Sequence, residues 1–408
     1  MNNTTVLTNE PFYTVAEQAL IYFAGILLSL VTIFGNVLVV VAYNSNKRLQ
    51  TITNLFIFSL SVSDISVGIF SINFYTVYIV QKWPLGPVWC NIWLCLDYSC
   101  CQASVIHLLV ICLDRYFSLM RPLKYRAKRT EKRAKIAIVL AWSLALFQWV
   151  PWIISYPYMV GEHTVADDDC YVQFIYESTF AAIITALAAY YVPVLIMLLV
   201  YLRIFLLVKT RERELGNLSE NLPKSPTERE RSKTEGAESS NRDVIKLSNY
   251  TRSQRRRIQS EPQTHMSKYK KFHLSKITLL LRQKKTAKLL STIFLAFAIT
   301  WLPYHIFVVW YPFCPECIPK IGWEFSYMFC YLNSTVNPFC YALGSRDFRR
   351  TFKSLLISRR ASVKSNMSTV KNIVSKKQIY LVTPHFIGVN NDAYDAMEVS
   401  SIRHSHSA

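Results

Sequence analysis

The chain has 408 residues, 51% of them hydrophobic, 14% aromatic and only 18% charged, yet it carries a formal net charge of +20. A soluble domain holds about 25% charged residues, so this apolar content excludes a basic disordered chain. Ten cysteines spread over such a length exclude a small disulfide scaffold. Apolar and basic residues must lie in separate segments.

A helical crossing of the bilayer core takes roughly 20 mostly apolar residues. Stretches of that kind fall at 20–43, 54–80, 91–120, 135–158, 179–208, 288–311 and 321–343. Lipid tolerates only helices or closed barrels, and these runs are too continuous for barrel strands, which alternate over about ten residues. The expected fold is an all-α membrane protein, a seven-transmembrane-helix bundle. The first run has an acidic flank (Glu10, Glu17) and reads as a span rather than a cleaved signal peptide. The expected organisation is an extracellular N-terminus at 1–18, five spans in 19–208, a largely disordered third intracellular loop at 209–285, and the sixth and seventh spans in 286–344. A short amphipathic helix at 345–358, around Phe348-Arg349-Arg350-Thr351-Phe352, should then lie on anionic membrane lipid, before a cytoplasmic tail at 359–408.

Basic residues fix the expected orientation. Lys47 and Arg48 follow the first span, and Arg121, Lys124, Arg126, Lys128 and Arg129 follow the third. The alternate connections hold Glu162, Asp167, Asp168, Asp169 and Glu316. The N-terminus is therefore expected outside, where Asn2 and Asn3 open glycosylation sequons. The +20 charge is then largely a property of the cytoplasmic face, and no nucleic-acid partner is expected.

Three carboxylates lie inside spans, where charge is costly and marks function by default. They are Asp64 in the second, and Asp97 and Asp114 in the third. Asp97 sits about five residues from the outer end, roughly 7–10 Å deep, and no Lys or Arg occupies the outer half of any span to pair with it. Either it is protonated and hydrogen-bonded between helices, or a cation reaches it from outside. Aromatic residues favour the cation. Tyr98 follows directly, Trp301 and Tyr304 share one face of the sixth span, and Tyr327 and Tyr331 share one face of the seventh. Aromatic faces around a carboxylate hold a quaternary ammonium, which donates no hydrogen bond but is drawn to π electrons.

In chain order, Gly35-Asn36, Ser59-Leu60 to Asp64, Asp114-Arg115-Tyr116, Trp142, Pro193 with Tyr201, Phe297 with Trp301-Leu302-Pro303-Tyr304, and Asn337-Pro338-Phe339-Cys340-Tyr341 together resemble the rhodopsin-like (class A) G-protein-coupled receptors. Trp83-Pro84-Leu85-Gly86-Pro87-Val88, Leu96-Asp97-Tyr98, Cys170 to Phe174 and Tyr331-Leu332-Asn333-Ser334-Thr335-Val336-Asn337-Pro338 are similar to the muscarinic acetylcholine receptors within them. The resemblance implies that Asp97 is the ammonium counter-ion, with Tyr98, Tyr304 and Tyr327 as a lid and Tyr331, Trp301 and Trp149 as walls. Thr185 and Ala189 would line the fifth-helix side. It also implies disulfides Cys90–Cys170 and Cys314–Cys317, the second pair being open to a reading as free thiols or metal ligands. Asp64, Ser104, Asn333, Ser334 and Asn337 resemble the family's sodium pocket, one carboxylate among neutral oxygens, or else form a purely hydrogen-bonded network. No other cofactor is expected. Asp114, Arg115, Tyr116, Tyr201, Pro303, Asn337, Pro338 and Tyr341 would serve activation, with the sixth helix moving outward to admit a heterotrimeric G protein. Arrestin and receptor kinases are further expected partners, and the plasma membrane is the expected location.

Departures from that pattern bear on the ligand. His305 replaces an asparagine beside Tyr304, and Cys101 and Gln102 replace a serine and an asparagine below Asp97, which marks an atypical receptor. Ala188-Ala189 offers nothing polar to an amine's far end, which favours acetylcholine over histamine or another biogenic amine, the alternative within the same family. Gln283 stands where the family often has an acid facing the triplet arginine, so some basal activity is expected. An enzyme is not expected, since no His-Glu-x-x-His, Gly-x-Ser-x-Gly or phosphate loop accompanies the spans. A transporter would be expected to show internal repeats with broken helices, and none is seen.

Overall fold

A computed structural model describes residues 12–220 and 265–357, which contain no strand. The helices are α1 (Val15–Ser45), α2 (Ile52–Val80), α3 (Gly86–Met120), α4 (Pro122–Lys128), α5 (Glu131–Val160), α6 (Gln173–Glu177), α7 (contiguous stretches Thr179–Ala186, Leu187–Tyr191 and Val192–Glu220), α8 (His265–Trp310), α9 (Lys320–Gly344) and α10 (346–357). Residues 354–408 form a unit of their own, of which only 354–357 are described. The sequons at Asn2 and Asn3 lie outside the described residues.

The seven long helices close a ring: α1 packs on α2, α2 on α3, α7 on α8, α8 on α9, and α9 back on α1. α3 runs through the middle, touching α2, α5, α7 and α8. Six of the seven are long and apolar enough to cross a membrane by composition alone. α9 falls short because its bundle-facing side carries Asn333, Ser334, Thr335 and Asn337, all buried. Those groups face the bundle and not lipid, so the helix still fits the ring.

Local chemistry explains the breaks in the helices. α1 starts at Val15, ahead of the expected boundary at 19, because Thr14 and Glu17 form a capping box: the Thr14 amide donates to the Glu17 carboxylate at 2.8 Å, and the Thr14 hydroxyl accepts from the Glu17 amide. α5 ends at Gly161, whose φ of 80° favours glycine. A π turn at Val67–Ser71 interrupts α2 and leaves the Gly68 carbonyl to side chains; Ser29 donates to it at 2.8 Å and Asn73 at 3.0 Å. Pro338 denies its helix a donor for the Ser334 carbonyl, and Asn36 of α1 supplies one at 2.9 Å. A β-carbon on Gly35 would stand 3.0 Å from the Pro338 ring, so the Gly35-Asn36 pair serves that proline twice.

The sequence places the insertion at 209–285 and expects its two ends, near Arg211 and Lys284-Lys285, to continue the fifth and sixth helices; α7 runs to Glu220 and α8 begins at His265. Tertiary partners explain the extension, since helical ends gain most of their stability from packing. Ile204, Val208 and Leu280 form an apolar cluster with Tyr116, Leu119 and Tyr201. Lys284 of α8 pairs with Glu212 of α7, and Arg211 donates to the Leu119 carbonyl at 2.8 Å. Residues 221–264 and the side chain of Gln283 lie outside the described residues.

Candidate functional site

Asp97 is 2% exposed on α3, and two tyrosines one helical turn apart on α9 reach it together. The Tyr327 hydroxyl donates to Oδ2 at 3.0 Å and the Tyr331 hydroxyl to the same oxygen at 3.2 Å. Cys101, one turn along α3, offers its thiol to Oδ1 at 3.8 Å. Among the described residues no ion pair involves Asp97. These hydrogen-bond partners are neutral hydroxyl and thiol groups.

Aromatic rings close over and around this carboxylate. The Tyr98 and Tyr304 hydroxyls are 2.9 Å apart, joining α3 to α8, and Tyr304 meets Tyr327 edge-on with centroids 5.1 Å apart. Trp149 of α5 lies 4.4 Å from the Tyr98 ring. Trp301 stacks on His305 at 5.7 Å, and His305 stacks in turn on Tyr190 of α7 at 4.5 Å. Ala189 is buried in the π turn of α7 and Thr185 is half-buried one turn earlier. The indole nitrogens of Trp149 and Trp301 and both ring nitrogens of His305 are buried without a hydrogen-bond partner. Buried polar groups are normally satisfied, so these four nitrogens are exceptions close to the aromatic rings around Asp97.

Two rings of this cage escape the sequence reading. Tyr75 of α2 stacks on Tyr327 at 4.5 Å and lies edge-on to Tyr331 at 6.0 Å, so it buttresses both hydroxyls that serve Asp97. Tyr190 completes the three-ring stack with His305. Neither belongs to a recognised motif or neighbours a charged residue in sequence; only the π turn in each helix, invisible in composition, rotates them into place.

The outer rim is tied by disulfides Cys90–Cys170 and Cys314–Cys317. The Trp83 amide donates to the Asp168 carbonyl at 2.8 Å. The hydrogen bond between the exposed Lys82 and Asp168 side chains holds the carboxyl below, and the ammonium above, their ordinary values. Cys95, Cys100, Cys101, Cys112, Cys330 and Cys340 are free thiols.

Deeper in the bundle, Asp64 is wholly buried; Asn337 donates to it at 2.9 Å and Ser104 at 3.4 Å, and Ser334 bonds to it as well. The Asn333 side-chain oxygen is buried without a donor. At the inner end Tyr341 is fully buried against Phe348 of α10, its hydroxyl unpartnered, and Tyr201 packs on Phe294 below Pro303.

A ring of seven membrane-length helices with such an interior defines a seven-helix receptor. Residues 35–341 match the 7 transmembrane receptor (rhodopsin family) family, and the chain belongs to it; it is a receptor and not an enzyme. Its relatives there include muscarinic acetylcholine receptors. It is 36% identical to muscarinic acetylcholine receptor M1 of Sus scrofa, over 82% of this chain and 88% of that one. It is 33% identical to the M2 receptor of Gallus gallus, over 88% and 98%, and 32% identical to the M5 receptor of Homo sapiens, over 81% and 89%.

Proposed function

We propose that this receptor binds acetylcholine at Asp97 and activates heterotrimeric G proteins from the plasma membrane, with its N-terminus outside. The carrying observation is a buried carboxylate that has no ion-pair partner among the described residues, is hydrogen-bonded by two tyrosine hydroxyls and a thiol, and is walled by aromatic rings. A quaternary ammonium suits it, taking charge attraction from Asp97 and π attraction from Tyr98, Tyr304, Tyr327, Tyr331, Trp149 and Trp301 without needing to donate a hydrogen bond. Cys101, Thr185, Ala189 and His305 complete the proposed contact set. Agonist shifts the equilibrium only by its preference for the active arrangement. Pro303 and Trp301 permit the sixth span, α8, to swing outward, and Arg115, Tyr116, Tyr201, Pro338 and Tyr341 rearrange where the G protein enters. Arrestin and receptor kinases would meet the same basic face. The two orphaned nitrogens of His305 support a second reading, histamine or another biogenic amine whose far end hydrogen-bonds there. A transmitter panel on cells expressing the chain, read by calcium and cyclic AMP, decides between them: a response to acetylcholine at concentrations where amines are silent is expected, and the reverse order overturns the first reading.

The Asp64 site fits a sodium ion. Asp64, Ser104, Ser334 and the unsatisfied oxygen of Asn333 would supply one charge and several neutral oxygens, with Asn337 orienting the carboxylate. A bound ion there would neutralise the carboxylate and favour the resting packing. Replacing sodium with N-methylglucamine is expected to raise agonist affinity severalfold, and Asp64→Asn is expected to erase that difference. Sodium sensitivity surviving in the variant would refute the site.

A further inference from the structure

The start of α9 is held by two residues that lie ahead of α1. Tyr13 is 8% exposed, and its hydroxyl donates to Oε2 of Glu324 near the beginning of α9. Lys320, one turn earlier on the same face, stands 3.7 Å from the other carboxylate oxygen of Glu324. Its ammonium also lies 4.4 Å from the ring centroid of Phe12 and 5.8 Å from that of Tyr13, within reach of a cation–π contact. The two rings meet edge-on at 4.8 Å. Behind them, the Gln18 side-chain amide donates to the Tyr13 carbonyl at 2.9 Å, and the capping box at Thr14 fixes the turn into α1. Phe12-Tyr13 thus forms a strap from the start of α1 to the start of α9.

We infer that Tyr13 and Glu324 are positioning residues for the cage: the strap fixes the first turns of α9 so that Tyr327 keeps its hydroxyl on Asp97 and slows the exit of a bound cation. α9 begins at Lys320 behind Pro319, which supplies no side-chain bond to the first turn. The first turn of a helix leaves amides without a partner inside it, and without a capping side chain such an end opens readily. Here that turn leads straight into the site. The ring of Trp323, beside Glu324, lies 6.1 Å from Tyr304 and 6.0 Å from Tyr176 between centroids. Tyr327, one turn beyond Glu324, donates to Asp97 at 3.0 Å. Two adjacent turns of α9 therefore meet α1 through Glu324 and the cage through Trp323 and Tyr327. The Glu324 side chain is only 12% exposed, so its bond to Tyr13 is not the kind of surface contact that contributes little.

This inference rests on the reading of Asp97 as the ammonium site, and the experiment separates the two. Full-length wild type, Tyr13→Phe, Glu324→Gln, Tyr327→Phe and the Tyr13→Phe/Tyr327→Phe double variant are purified into nanodiscs. Association and dissociation of tritiated acetylcholine are followed, together with the unfolding temperature of the ligand-free receptor. A wild type that holds no acetylcholine defeats the ligand reading, and the inference falls with it. If the wild type binds, Tyr13→Phe keeps the ring beside Lys320 and loses only the hydroxyl. It is expected to speed dissociation at least threefold, to change association less than twofold and to leave the unfolding temperature near that of the wild type. The double variant is expected to release ligand no faster than Tyr327→Phe alone, because residues acting through one contact are non-additive. Unchanged dissociation in Tyr13→Phe, a lowered unfolding temperature as its only effect, or accelerations that multiply in the double variant overturns the inference. Should Tyr13→Phe not fold, Glu324→Gln, which keeps an acceptor for the hydroxyl but loses the charge that meets Lys320, is expected to speed dissociation to a lesser degree; unaltered dissociation there counts equally against it.

Discussion

Asp97→Asn is expected to weaken acetylcholine binding by about 2–5 kcal/mol, the range for a buried charge pair that loses one member, or about thirtyfold to several thousandfold in affinity. The substitution is well suited to the question because it leaves the local framework in place. The asparagine oxygen still accepts from Tyr327 and Tyr331, which now converge on one oxygen of the carboxylate. Only the charge disappears, and with no other ion pair at the site among the described residues nothing else replaces it. Radioligand competition on intact membranes measures the effect. A loss below tenfold would mean that the ammonium sits elsewhere, and the proposed ligand class would have to change. A neutral ligand that kept its affinity for the variant would lead to the same conclusion.

The second large effect concerns the rim. The Cys90–Cys170 bridge closes a sequence separation of 80 residues, whereas Cys314–Cys317 closes three. Chain-entropy reasoning makes the longer closure worth roughly twice the shorter one or more, and loss of a native bridge typically costs about 2–5 kcal/mol. The longer bridge also pins Val172 and Phe174, both buried, beside the cage wall formed by Trp149, whose ring centroid is 6.5 Å from that of Phe174. Cys90→Ala/Cys170→Ala is therefore expected to lower the unfolding temperature of detergent-solubilised receptor and to weaken ligand binding together. Cys314→Ala/Cys317→Ala should lower stability less and leave affinity near wild type. A thermal-shift assay with and without ligand measures both, and equal effects of the two pairs would show that loop closure is not the source of the stabilisation.

Much of this architecture is legible in the sequence for a simple reason: lipid punishes polar backbone and stray charge so heavily that spans and their exceptions stand out. Seven mostly apolar runs mark seven spans. The seventh, 321–343, falls short of the other six in hydropathy because Asn333, Ser334, Thr335 and Asn337 turn into the bundle. Tyr327 and Tyr331, four residues apart, announce a shared face, and both reach Asp97. The inner ends of the fifth and sixth spans are expected to run on into the insertion near Arg211 and Lys284, but how far they run depends on contacts between segments about 70 residues apart, Glu212 with Lys284 and Val208 with Leu280.

Taken alone, the sequence determined the membrane class, the number of helices, the intramembrane carboxylates and the aromatic residues available to surround one of them, since each follows from local composition and spacing. Tertiary structure decided which groups those carboxylates meet. Asp114 turns to Arg129 rather than being explained by its own triplet, Tyr75 and Tyr190 join the cage through π turns, and His305 is left between two rings with both nitrogens unpaired. Partners of that kind are chosen by helix rotation and crossing, which depend on contacts between distant segments, and no local pattern of residues encodes them.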